Sequence, residues 1–376
     1  MWNAVTVRTL TRLRFVPVVV SRSVTYHPGM KRALIFLLVW AGAGALVSAQ
    51  EQATMKRHSS APAGSRIHKL DELNWPQIDA FERERTLVLL PVGMVEQHGP
   101  HLPVGADTLG VLYEANGVSR RLSQALRNWN IVMLPSINYG HGGANQVGAM
   151  LVHPGTYGIR RSTLRSLVAD VGGQLAQNGF KWIFVLNGHA APAHSIAINE
   201  ACDFISETFR VTMLHLTGLF KADAAIQARG EKIKARHFSA AEISSFGMDV
   251  HAGVGETSAI LAVRPDLVRS DYKTLPDRAG GTLEELREIA TARGWQGYLS
   301  SPSKATAACG RAVEDWWIDG FTELILRAVR GEDLLHQPRS PETLPPAVAP
   351  TFEKAFANER AFEVKFESWL AHRRED

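Results

Sequence analysis

The sequence predicts a three-layer α/β/α sandwich built on a mainly parallel sheet. Three observations carry this. Apolar runs of strand length recur along the chain, segments of helical periodicity lie between them, and the residue types able to do chemistry follow the runs directly. Thr86–Val92 is an unbroken apolar run, and Asn130–Leu134, Lys181–Leu186 and Val211–Leu216 are three more. Runs without polar alternation fit strands covered on both faces, as in parallel sheets. Thr108–Leu126, Ser162–Gln177 and Ala193–Phe209 place apolar residues three and four apart, the pattern of helices that bury one face. Strand and helix in alternation predict a doubly wound sheet, whose ligands gather at the carboxyl ends of its strands.

The ends of the chain read differently. Met30-Lys31-Arg32 followed by the uncharged apolar run Ala33–Val47 and by Val47-Ser48-Ala49 is a signal-peptide pattern with cleavage after Ala49. An uncleaved membrane anchor is the alternative, although the apolar run is short for a bilayer span. Residues 1–29 form a further basic stretch, so translation starts at Met1 or at Met30. The expected organisation is a leader over 1–49, a linker over 50–67, the main domain over 68–335, a proline-rich segment over 336–350 and a helical extension over 351–376. Within these, Arg311–Arg327 and Thr351–Arg373 carry helical patterns.

Charge excludes one class of partner. The chain has 41 Lys and Arg against 37 Asp and Glu. Six of those basic residues, and no acidic ones, lie in the leader, leaving 35 against 37. The remainder is near neutrality and gives no basis for nucleic-acid binding. Cys202 and Cys309 make neither a disulfide framework nor a metal motif; two buried thiols and one bridge both stay open.

Three segments carry candidate chemistry. Pro91–Asp107 follows the first run and presents Glu96, His98 and Asp107; strand alternation would put Glu96 and His98 on one side, with Asp107 returning at a helix start. Asn187-Gly188-His189 follows the third run, and Gly188 permits a tight turn. Asp249-Val-His251-Ala-Gly253-Val-Gly-Glu256-Thr-Ser258 leads into an apolar helix, where Glu256 is either a ligand or a first-turn carboxylate favoured by the helix dipole. Carboxylates and imidazoles together suit zinc or manganese. No G-x-S-x-G elbow is present.

In this order the three motifs, with His153-Pro-Gly-Thr156 between them, resemble the creatininase (creatinine amidohydrolase) family over roughly residues 70–265. The resemblance implies two divalent metal ions per subunit, zinc and/or manganese. Glu96 and His189 would hold one, His98 the other, and Asp107 would bridge them. Where creatininase has a ligating Glu after the Asn-Gly-His histidine this chain has Ala191, which makes Glu256 the fifth ligand; where it has a Tyr, this chain has Ala190. His251 and Glu256 would be catalytic, with His251 contacting substrate and moving protons. His141, Asn145 and His153 are expected to shape the substrate site. His101 and His194 receive no metal role, and His194 is placed in the first turn of a helix.

The implied function is hydrolysis of a non-peptide C–N bond in a small linear or cyclic amide. A catalytically silent metal- or ligand-binding protein of the same fold is the alternative. The resemblance also implies a homo-oligomer, such as a hexamer, and the leader implies an exported protein, periplasmic or secreted.

Overall fold

The computed structural model describes residues 66–144, 147, 153–346 and 349–373. The proposed leader, the linker up to residue 65 and Asn145 lie outside the described residues.

Five strands form one parallel sheet: β1 (Arg66–Lys69), β2 (Thr86–Val92), β3 (Asn130–Met133), β4 (Trp182–Asn187) and β5 (Thr212–His215), in the order β1-β3-β2-β4-β5. The four expected runs are β2 to β5. β1 is the addition, and its first two residues fall where a linker was expected; Arg66-Ile-His-Lys lies at a sheet edge with a single apolar residue and has no apolar run to announce it.

Strand periodicity makes the three layers. Leu87 and Leu89 of β2, Ile131 and Met133 of β3, and Phe184 and Leu186 of β4 all join one buried cluster. Val88, Leu90 and Val92, Val132, and Ile183 and Val185 join another. Successive side chains point to opposite faces, so one apolar run feeds two cores. The first core is closed by α1 (Ala106–Ala125) and α2 (Ala307–Val329), through Val111, Val118, Ile318, Phe321 and Ile325. The second is closed by α3 (Arg161–Gln177) and α4 (Pro192–Phe209), through Leu164, Val168, Ile198 and Ile205.

α2 begins four residues before the expected Arg311, because the Thr306 hydroxyl caps it and accepts from the Cys309 amide at 3.1 Å. The fourth run ends at His215, and Leu216–Ala222 turns directly into a helix, α5. The C-terminal helix, α6, spans Ala349–His372. Cys202 and Cys309 are both buried free thiols. Among the described residues no helix is long and apolar enough to cross a membrane.

The topology fixes where a site can form. From β2 the chain crosses to β3 on one side, and from β4 to β5 on the other. β2 and β4 are neighbours and end level, with Val92 beside Asn187. The strand order therefore switches direction at the carboxyl ends of β2 and β4, the place where open α/β sheets leave a crevice.

Candidate metal centre

Both sides of that crevice carry candidate ligands. Past β2, Gly93 lies so close to the start of α1 that a Cβ there would sit 2.7 Å from the Thr108 Cα. β2 stops at Val92, so Glu96 and His98 are not strand neighbours as expected; residues 93–98 are irregular. Backbone contacts hold this segment instead. The Glu96 amide donates to the Val104 carbonyl at 2.8 Å, and the Gln97 amide donates to the Thr156 hydroxyl at 3.1 Å. The latter is the contribution of the His153-Pro-Gly-Thr156 element. Glu96 Oε1 accepts from the Ala144 amide, and Gly143, at φ +119°, leaves room for it.

His98 is oriented by its own loop. Its Nδ1–H donates to the Glu96 carbonyl at 3.0 Å, which leaves Nε2 as the atom turned toward the cluster. That Nε2 lies 3.2 Å from Asp107 Oδ1 and 3.5 Å from Glu256 Oε2. Asp107 is the second residue of α1, and its other oxygen, Oδ2, lies 3.0 Å from His189 Nδ1. His189 Nδ1 is also 3.0 Å from Glu96 Oε2.

The Asn187-Gly188-His189 turn makes this possible. Asn187 bridges it, accepting from the His189 amide at 2.9 Å and donating to the His189 carbonyl at 2.7 Å. A Cβ on Gly188 would stand 2.4 Å from the Asp107 carbonyl oxygen. Only a glycine lets the turn approach the head of α1 this closely. Glu256 comes from the first turn of α7 (Val254–Val263) and accepts from the Ala252 amide.

Two ligand triplets result, Glu96–Asp107–His189 and His98–Asp107–Glu256, sharing Asp107. A third, Glu96–His98–His251, overlaps both. Glu96 Oε2, His98 Nε2 and Asp107 Oδ2 are buried in ion-pair contact but in no well-aligned hydrogen bond. Buried polar atoms left in that state cost stability unless something else satisfies them. Their lone pairs converge at 3.0–3.5 Å, and the mixed nitrogen and oxygen donors fit divalent cations.

Electrostatics agree. Burial raises the Glu96 carboxyl, but His251, His189 and His98 outweigh it and hold the group at about 2. Burial opposes protonation of His98 and His189, yet the carboxylates of Asp107, Glu256 and Glu96 carry both imidazoles to about 10. Burial and the neighbouring Asp107 and Glu96 push Glu256 to about 7, against the pull of His98. With folded values raised from 6.5, the two imidazoles stabilise the metal-free protein fully below about pH 6.5 and lose that contribution as pH rises through about 10. Cations need those lone pairs and an ionised Glu256, so loading at pH 7 is expected to release about two to three protons per chain. Calorimetry of metal binding in two buffers of different ionisation heat measures this; an uptake independent of buffer would refute it.

The family model described as creatinine amidohydrolase matches residues 71–325, most of the chain. The chain belongs to the creatininase family. Creatinine amidohydrolase of Pseudomonas putida is 28% identical over 270 residues, covering 68% of this chain and 94% of that protein. Mycofactocin precursor peptide peptidase of Mycobacterium ulcerans (strain Agy99) is 30% identical over 275 residues, covering 71% and 96%. A mutant creatininase solved in a Zn-Zn form aligns with TM-score 0.51 and 25% identity over 69% of this chain and 98% of that one.

In this creatininase-family hydrolase the remaining predicted residues divide. His251 is in the cluster: its Nε2–H donates to the Gln97 carbonyl at 2.8 Å, and its Nδ1 lies 3.7 Å from Glu96 Oε1. Burial, helped by His98, lowers it to about 4 against Glu96 and Asp107, so the imidazole is neutral. His141 and His153, expected at the substrate site, do not line the cavity. His141 donates from Nδ1 toward the Ile159 carbonyl and Glu359 and stacks on Phe356 of α6, because its loop turns toward the C-terminal helix. His153 bonds the Trp295 carbonyl at 3.1 Å and packs edge-on to that ring. His101 bonds Thr257 at 2.9 Å, and His194 sits in the first turn of α4, accepting from the His141 amide.

A cavity of about 530 Å³ opens on the cluster, lined among others by Glu96, Asp107, His189, His251 and Glu256. Sequence reasoning missed three of its ionisable residues: Lys221, Glu114 and Glu314. Glu114 had a signal. Helical spacing puts it on the face that carries Asp107 and Val111, where a carboxylate is out of place.

Proposed function

We propose that this hydrolase is a metal-dependent amidohydrolase that cleaves a non-peptide C–N bond in a small amide or cyclic amide. The observation that carries the reading is Asp107, whose two oxygens face two different histidines, His98 and His189. Glu96, His189 and Asp107 would hold one divalent ion, and His98, Glu256 and Asp107 a second, zinc or manganese by donor type. Such a pair, when bound, supplies Lewis acidity toward a carbonyl and toward water.

The chain's own residues do the rest. The Gln97 carbonyl holds His251 as the tautomer whose bare Nδ1 faces the cluster, ready to accept a proton. Glu256, partly exposed to the cavity, would serve as a carboxylate ligand of the second ion, and His251, once it has taken a proton, would pass it to a leaving nitrogen. The apolar wall of Val111, Ala144, Ile260 and Phe352 limits water around the reacting groups. The cavity volume is within the usual range for small-molecule sites.

Hydrolysis of a peptide bond is the second reading, favoured by the 30% identity to the mycofactocin peptidase. Creatinine, formamides, small lactams and short peptides assayed in parallel on metal-loaded protein separate the two. Turnover of a non-peptide amide, abolished by a chelator and restored by zinc or manganese, is expected. Turnover of peptides alone would replace the first reading with the second, and protein that folds but binds no metal would end both. The leader supports export, so the substrate is proposed to lie outside the cytoplasm, and a homo-oligomeric assembly is proposed with it.

A further inference from the structure

The cavity continues beyond the ligand cluster. From Asp107 its wall follows one face of α1 through Gly110 and Val111 to Glu114, then crosses to Glu314 and Trp317 of α2. Seven residues at 1.5 Å rise place Glu114 about 10 Å along the helix axis from Asp107. The two helices touch closely one turn further on, where a Cβ on Gly117 would lie 2.4 Å from Ile318 Cδ1. Glu114 and Glu314 precede that contact by one turn on their respective helices, and they repel one another.

Both carboxyls are buried, at 7% and 3% exposure, and Glu314 Oε2 has no hydrogen-bond partner. Lys221, which lines the same cavity, is drawn to Glu256, and neither Glu114 nor Glu314 is raised or lowered by a cationic side chain among the described residues. Burial raises both, Glu314 to about 8. A buried carboxylate pair is retained only if something neutralises it, because each ion gives up its hydration. Beside them the Trp317 ring, held flat on Phe220 with centroids 3.8 Å apart, offers an aromatic surface of the kind that attracts cations. The cavity thus has metal ligands at one place and an unpaired acidic, aromatic pocket about two helical turns away.

We propose that Glu114, Glu314 and Trp317 form a subsite for the cationic end of the substrate, an amino or guanidino group carried about 10 Å from the scissile carbonyl. This rests on the amidohydrolase reading and names its substrate class: amides with a distal basic nitrogen. The cation replaces the proton that otherwise neutralises the pair, and the spacing between the two ends of the cavity selects chain length.

The test has two arms, both on the metal-loaded full-length protein. In the first, 8-aminooctanamide is compared with its neutral isostere nonanamide. A kcat/KM ratio of about 10 or more is expected, falling toward unity in Glu114→Gln and Glu314→Gln. A ratio near unity in the parent protein, or one unchanged in both variants, overturns the proposal. These substitutions keep shape and remove a buried repulsion, and thermal melting verifies that they fold. In the second arm, n-butylguanidinium and the neutral n-butylurea are titrated by calorimetry. Saturable binding of the cation alone, weakened at least about 10-fold in either variant, supports the subsite; equal binding of the two probes, or none, overturns it. Cation binding without turnover of any amide would sink the amidohydrolase reading and leave the cation subsite standing.

Discussion

Asp107→Asn is expected to empty both halves of the proposed metal centre at once. Asp107 is the one side chain shared by the Glu96–Asp107–His189 and His98–Asp107–Glu256 triplets, with an oxygen turned to each histidine. Asparagine keeps the shape, but it removes the charge and replaces one of the two acceptor oxygens with a donor. Outer partners of metal ligands are worth about 10–100-fold in affinity or activity, so loss of a shared ligand should exceed the upper end of that range. The proton count changes too. Asp107 is the largest influence raising His98 and stands second only to Glu96 among those raising His189. Without it both imidazoles become easier to deprotonate, and proton release on metal loading falls. Elemental analysis and calorimetry read both effects. A variant that still carries two ions per chain at parental activity would remove Asp107 from the bridging position.

Gly310→Val is expected to be the most damaging substitution for stability outside the metal cluster. Gly310 lies in the first turn of α2, where that helix crosses α7; a Cβ there would stand 1.8 Å from the Ser258 carbonyl oxygen and 2.3 Å from its carbon. The obstacle is backbone, so no side-chain rotation relieves it. Overpacking typically costs about 1–3 kcal/mol and occasionally more, and this contact belongs at the upper end. The effect should reach the site, because α7 carries Glu256 in its first turn. Gly110→Ala is the contrasting change. Nothing lies within 4 Å of its Cβ position, and in a helix interior alanine is favoured by about 0.5–1 kcal/mol. Chemical denaturation of both variants checks the pair; equal stability for Gly310→Val and its parent would refute the packing argument.

Much of the architecture was legible because burial writes itself into periodicity. β2, β3 and β4 carry continuous apolar centres, β5 a shorter one in Met213-Leu214, and α1, α3 and α4 began within two residues of where apolar spacing put them. β1 was not legible, since it buries none of its four residues, whereas β5, at the other edge, buries three. The candidate cluster was legible in its residue types and in its place near the ends of β2 and β4, because carboxylates and imidazoles commonly bind divalent cations and open α/β sheets leave their crevice at strand ends. The mechanism of their convergence was not. Glu96 and His98 do not share a strand face; they are set by the Val104, Ala144 and Thr156 contacts, which are remote in sequence. His141 and His153 adjoin glycine- or proline-containing segments, yet their rings turn to Phe356 and Trp295. A local pattern cannot tell a ring that faces a cavity from one that closes a loop.

By itself, then, the sequence determined the parallel α/β layering, the residue types at the crevice and the membership those motifs imply. Those properties depend on side-chain chemistry and on periods of two and three to four residues, both of which are local. Only the tertiary structure decided that Asp107 stands between two histidines, that Gly188 lets β4 close on the head of α1, and that Glu114 and Glu314 line the same cavity. Each of these brings together segments far apart in the chain, and the arrangement is set by how helices and strands pack, which no short window of residues encodes.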